Sequence, residues 1–111
     1  NELLMAGLGV ICPSDAVVSE EVPFDPAVTA RGSVWIIDPL DGTRAFLDGR
    51  DDFSVLLGRV SAGQVEYGLM HFPARNTTAE AMVGEGAWCE GRRLAVSTRT
   101  RLTPGSVYYR N

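Results

Sequence analysis

The chain has 111 residues, 45% of them apolar, and a net charge of −4. That length gives one domain with room for a hydrophobic core, no stretch reaches the ~20 apolar residues of a membrane span, and the acidic balance lacks the basic footprint of a protein that binds a nucleic-acid polymer. All ten basic residues are arginine, which excludes lysine Schiff-base chemistry and a lysine-bearing Walker phosphate loop.

Residues 2–8 read as the last turn or two of a helix closed by Gly7 or Gly9. An apolar helix end at the first residues, starting on Asn1, suggests a piece of a longer chain. Ala16 to Ser19 is a short strand with Glu20 and Glu21 at its end. Residues 22–32 hold two prolines and little periodicity, which predicts a mobile loop. Ser33 to Ile37 is β-branched and aromatic, a buried strand. Phe53 to Val60, Gln64 to Phe72 and Thr77 to Val83 follow as strands, then a small hairpin around Glu90-Gly91 and a last strand over 106–110. Turns of two to four residues join antiparallel neighbours. The predicted fold class is therefore α+β, mainly an antiparallel β-sheet meander with short helices, in a single partial domain over 1–111.

The remaining residue types are read as structural. Cys12 and Cys89 form no CxxC pair and His71 stands alone, which predicts reduced thiols in a cytoplasmic protein and no structural zinc. Met5, Met70 and Met82 read as core filler. Tyr67, Trp88, Tyr108 and Tyr109 read as packing on strands, and the arginines, Asp51 and Asp52 as solvated.

The chemistry lies in Trp35 to Phe46, where an apolar run leads into Asp38-Pro39-Leu40-Asp41-Gly42-Thr43. A turn enforced by Pro39 lets Asp38 and Asp41 point to one side, with the Leu40 carbonyl as a further hard oxygen donor. Gly42 lets a phosphate approach the backbone, and a helix starting there offers the N–H groups of Gly42 and Thr43 to it. The Thr43 hydroxyl could orient an attacking water, and Glu21, at another strand end, is the candidate bridging carboxylate or general base. Carboxylates gathered this closely raise one another's pKa until a divalent cation offsets the repulsion. An EF-hand loop is excluded, because from Asp38 its third and fifth ligand positions fall on Leu40 and Gly42. The Asp-x-Asp spacing of haloacid-dehalogenase phosphatases is missed by one residue.

The same run resembles the metal-binding signature of the inositol monophosphatase superfamily. Val18-Ser19-Glu20-Glu21 resembles its upstream acidic motif, and Gly68 to Pro73 and Gly84 to Trp88 resemble its strand pattern. That resemblance implies the N-terminal domain of the inositol monophosphatase/fructose-1,6-bisphosphatase fold. It implies Glu21, Asp38, the Leu40 carbonyl and Asp41 as Mg²⁺ ligands, Gly42 and Thr43 as the phosphate site, and Glu21 with Thr43 positioning the water. It also implies two or three Mg²⁺ ions in a complete site, inhibition by lithium, a homodimer, and a small phosphorylated metabolite as substrate. Ser-Glu-Glu and Arg50 to Phe53 are most similar to the 3'(2'),5'-bisphosphate nucleotidases, so 3'-phosphoadenosine 5'-phosphate stands beside inositol monophosphate as an expected substrate. Members of that superfamily also carry a second domain with a Trp-Asp ligand motif, absent here, since Trp35 precedes Ile36 and Trp88 precedes Cys89. The competing expectation is a non-catalytic remnant or isolated folding module.

Overall fold

Seven strands in the order β1-β2-β3-β4-β5-β6-β7 make one mixed sheet, in a computed structural model that describes residues 1–23 and 25–103. The strands are β1 (Ala16–Ser19), β2 (Ser33–Asp41), β3 (Ser54–Ser61), β4 (Gln64–Phe72), β5 (Thr77–Met82), β6 (Gly86–Cys89) and β7 (Arg92–Arg93). Helix α1 (Glu2–Ile11) precedes the sheet, and α2 (Thr43–Leu47) joins β2 to β3. The strand expected over 106–110, with Tyr108 and Tyr109, lies outside the described residues.

From β2 onward the sheet is the expected antiparallel meander, with Ile37 opposite Leu57 and Leu57 opposite Leu69. β1 departs from it, pairing parallel to β2 with Ser19 beside Ile37. A parallel neighbour needs a crossover rather than a tight turn, and residues 20–32 supply one. Part of that segment is ordered rather than a plain loop: Pro26–Arg31 is a 3-10 helix, with the Asp25 carboxylate accepting from Ala27 N–H at 2.9 Å and Pro26 in its first turn.

Two other boundaries move for physical reasons. Neither Gly7 nor Gly9 takes the left-handed conformation that closes a helix. α1 therefore runs on to Ile11, with Cys12 N–H bonded to Leu8 O at 2.8 Å, and stops before Pro13, which has no N–H to continue it. β2 also outruns its expected end at Ile37. It continues through Pro39 to Asp41 because its pairing with β3 skips from Asp38 to Asp41, and the proline sits in that irregularity where no ladder N–H is required.

The buried core is small. Among the described residues it consists of Ala16, Ile37, Ala45 and two serines, Ser19 and Ser54. One sheet face carries Trp35, Arg59, Tyr67 and Met82 side by side, and the other Ile36, Gly58, Gly68 and Ala81. On the first face Trp35 meets Tyr67 edge-on at 6.0 Å. Arg59 there bonds both Asp15, at 2.9 Å, and Glu66, so it is not a solvated arginine. The second face is open, with Ile36 48% and Met70 38% exposed; Met82, on the first face, is 49% exposed, so neither of these methionines fills a core. Cys12 and Cys89 are free thiols, as expected. No helix of the described residues is long and apolar enough to cross a membrane.

Candidate metal and phosphate site

The parallel register builds the acidic end of the site. Ser19 and Ile37 are partners on the buried face, so the next residues, Glu20 and Asp38, emerge side by side on the opposite one. Glu20 N–H donates to Ile37 O at 3.1 Å, which extends the pairing one step past β1. The chain then turns, with Val22 N–H donating to Ser19 O at 3.1 Å. The Ser19 hydroxyl sits inside that turn, donating to Asn1 Oδ1 at 2.8 Å and accepting from Glu21 N–H at 3.4 Å. Both glutamates are exposed, and they share an open groove with Asp38, Ile36 and Pro23.

The electrostatics single out Glu20. The Asp38 carboxylate beside it, by its charge first and by hydrogen bonding second, raises the Glu20 carboxyl above the ordinary carboxylate range. Partial loss of water and the charges of Asp41 and Glu21 push the same way. Among the described residues no arginine pairs with Glu20, Glu21, Asp38 or Asp41.

The second half of the site is wired locally. Asp38 Oδ1 accepts from Leu40 N–H at 3.0 Å, an Asx turn that leaves the Leu40 carbonyl accepting from the Thr43 hydroxyl at 3.1 Å. Asp41 stands opposite Ser54, whose hydroxyl donates to Asp41 Oδ2 at 3.2 Å. Gly42 is the N-cap of α2, as expected, and Phe46 N–H returns to its carbonyl at 3.1 Å. Its φ of +81° and the approach of Asp52 O to 3.0 Å from where a Cβ would stand both demand glycine. Phe53 continues that contact and stacks edge-on with Phe46 at 5.1 Å.

Between α2 and β3, Asp51 and Asp52 are not simply solvated: Arg75 holds Asp51 through two bonds of 3.2 Å, and Arg50 holds Asp52 at 2.8 and 2.7 Å.

Asp38, Leu40, Asp41, Gly42 and Thr43 therefore form one connected corner, with Glu20 and Glu21 on the neighbouring strand end. Among the described residues no three His, Cys, Asp or Glu side chains converge on a common point. Mg²⁺ nonetheless suits the donor set, since it is held by one or two carboxylates plus waters and phosphate oxygens rather than by an all-protein cage. The negative charge of Asp38, Asp41 and Glu21 that raises Glu20 is what a cation would offset. Sequence reasoning passed over Glu20, because its place beside Asp38 follows from a parallel register, and Ser54, because a lone serine at a strand start carries no signal.

A family model described as "Inositol monophosphatase family" matches residues 1–110. Of the curated relatives, the fructose-1,6-bisphosphatase/inositol-1-monophosphatase of Thermotoga maritima is 39% identical over 90 residues, covering 81% of this chain and 34% of its own length. The 3'(2'),5'-bisphosphate nucleotidase CysQ of Aggregatibacter actinomycetemcomitans is 37% identical over 91 residues, covering 79% and 34%. The crystal structure of the extragenic suppressor protein suhB from Bartonella henselae superposes with a TM-score of 0.83 at 31% identity, over 91% of this chain and 39% of that one. The chain thus spans only about a third of the length of these curated relatives.

Proposed function

The chain belongs to the inositol monophosphatase family, and on that premise we propose that it supplies the cation- and phosphate-binding part of a Mg²⁺-dependent phosphomonoesterase. The observation that carries the proposal is the carboxylate pair Glu20 and Asp38, to which no arginine pairs among the described residues, next to the Asp38–Thr43 corner. Matching relatives are named as phosphatases of small metabolites, which supports a phosphorylated small molecule as substrate, inositol monophosphate or 3'-phosphoadenosine 5'-phosphate in particular.

Asp38, Asp41, the Leu40 carbonyl and Glu21 would hold the cation, with Glu20 adding charge at the same groove. A bound divalent cation would neutralise the phosphoryl oxygens and lower the pKa of the attacking water. The chain's own groups do the rest. Because the Thr43 hydroxyl gives its proton to Leu40 O, its lone pairs are left to accept from a water and so orient it. Glu21, at the end of β1, would take the proton that this water releases as its oxygen bonds to phosphorus, while the P–O ester bond breaks and the departing alkoxide takes a proton from solvent water to leave as the alcohol. The first N–H groups of α2 have no intrahelical partner and would be free to bind a phosphate at Gly42 and Thr43.

The proposal places turnover in a two-domain chain of the relatives' length, with these residues as part of the first domain. Phosphate release by the full-length protein tests it across inositol 1-phosphate, 3'-phosphoadenosine 5'-phosphate and fructose 1,6-bisphosphate, with and without Mg²⁺. Release on at least one substrate, lost in chelator, is expected; no Mg²⁺-dependent release on any of them favours a non-catalytic module.

A further inference from the structure

Two of the buried residues among those described are serines, and both stand where the acidic strands end: Ser19 closes β1 and Ser54 opens β3. Burying a hydroxyl is unfavourable unless it finds a partner. Ser54 is 2% exposed, and its partner is the carboxylate of Asp41, its register neighbour, at 3.2 Å from Oγ to Oδ2. A carboxylate can only accept, so the serine is the donor. Asp41 itself is exposed, so nothing packed around it restrains its carboxylate as this bond does.

We infer that Ser54 is a positioning residue whose buried hydroxyl engages Asp41 Oδ2 and so turns Oδ1 toward the divalent cation. This rests on the cation reading proposed above. An exposed carboxylate that rotates freely loses that freedom when it ligates; one already fixed by a buried donor has less to lose. The donor is itself held in place, because the backbone just before it, Asp52 O and Phe53 Cα, packs against Gly42 at 3.0 and 3.3 Å from its would-be Cβ. Supporting donors of this kind change metal affinity by about 10–100-fold when removed.

The test uses Mn²⁺ alone as the probe, counted by electron paramagnetic resonance in the full-length protein. Ser54→Cys keeps the volume and offers only a weak donor, and Ser54→Thr keeps the hydroxyl. Ser33→Ala removes a hydroxyl pair of the same sheet, Ser33 to Ser61 at 3.1 Å, at the far end of β2. The expected result is Mn²⁺ affinity about tenfold weaker in Ser54→Cys, with Ser54→Thr and Ser33→Ala close to wild type. Equal affinity in Ser54→Cys and wild type overturns the inference and leaves the cation reading standing. The same loss in Ser33→Ala as in Ser54→Cys overturns it too, since the sheet rather than the carboxylate would be responsible. Absence of Mn²⁺ binding by wild type removes the cation reading and this inference together. If Ser54→Cys does not fold, Ser54→Thr decides: retained affinity is the expected result, and a tenfold loss in a variant of native circular dichroism overturns the assignment.

Discussion

Gly42 shows how one residue sets the geometry of this corner. Beyond the room it leaves for a phosphate, the structure gives it two further constraints, a left-handed backbone and a carbonyl 3.0 Å from where a Cβ would sit. Gly42→Ala is therefore expected to destabilise the protein by about 1–2 kcal/mol from the backbone alone, with the clash against Asp52 adding to it. A shift in the denaturant midpoint without a change in slope measures this; an unchanged midpoint would contradict the close approach. The Asp38-to-Thr43 corner was legible because its donors lie within six residues, where spacing alone limits the options. The pairing of Glu20 with Asp38 was not, because it depends on a strand register between segments separated by the crossover.

At the scale of elements, the meander from β2 to β6 could be read from the sequence because short turns leave no alternative to antiparallel pairing. The parallel placement of β1 was hidden by a crossover whose 3-10 helix has no periodicity to detect. Helix α1 outruns the end that its glycines suggest, because Gly7 and Gly9 sit in mid-helix. Gly7 has nothing within 4 Å of a would-be Cβ. Gly7→Ala should accordingly stabilise the fold by about 0.5–1 kcal/mol, and thermal unfolding would show a loss instead if α1 ended there.

The entry to β1 is tied to β3 by charge: Asp15 Oδ2 accepts from Arg59 at 2.9 Å and from the Trp35 indole at 3.1 Å. The Arg59 guanidinium bonded to it holds the Asp15 carboxyl below its ordinary range. A depressed folded-state pKa adds stability above the unfolded value, about 3.9, and that stability disappears as pH falls through the folded one. Asp15→Asn should lower the melting temperature by a constant amount from pH 7 to about 5, with the gap closing below about 4. A gap that does not vary with pH would mean the ion pair contributes nothing.

For the molecule as a whole, length alone promised a core that the described residues do not build. Very few of them are buried, while Leu3 is 86% and Ile11 77% exposed on α1 and the Ile36–Met70 face lies open. Apolar surface of this extent is characteristic of a face covered by something else. Composition counts apolar residues but cannot say whether a second layer lies over them, which is why this was not legible. The 111-residue chain is expected to bind an apolar fluorescent dye in its folded state. Low dye binding by the folded chain would contradict the open faces.

Those faces concern stability; the central claim concerns chemistry at the ends of β1 and β2. Its most direct test is Asp41→Asn in the full-length protein, assayed for phosphate release as Mg²⁺ is raised to saturation. The exchange keeps size and shape and removes the charge, while its amide oxygen can still accept from Ser54. No Mg²⁺-dependent release above the uncatalysed background is expected to remain, in a protein whose circular dichroism is unchanged. Release at the wild-type rate by Asp41→Asn would contradict it.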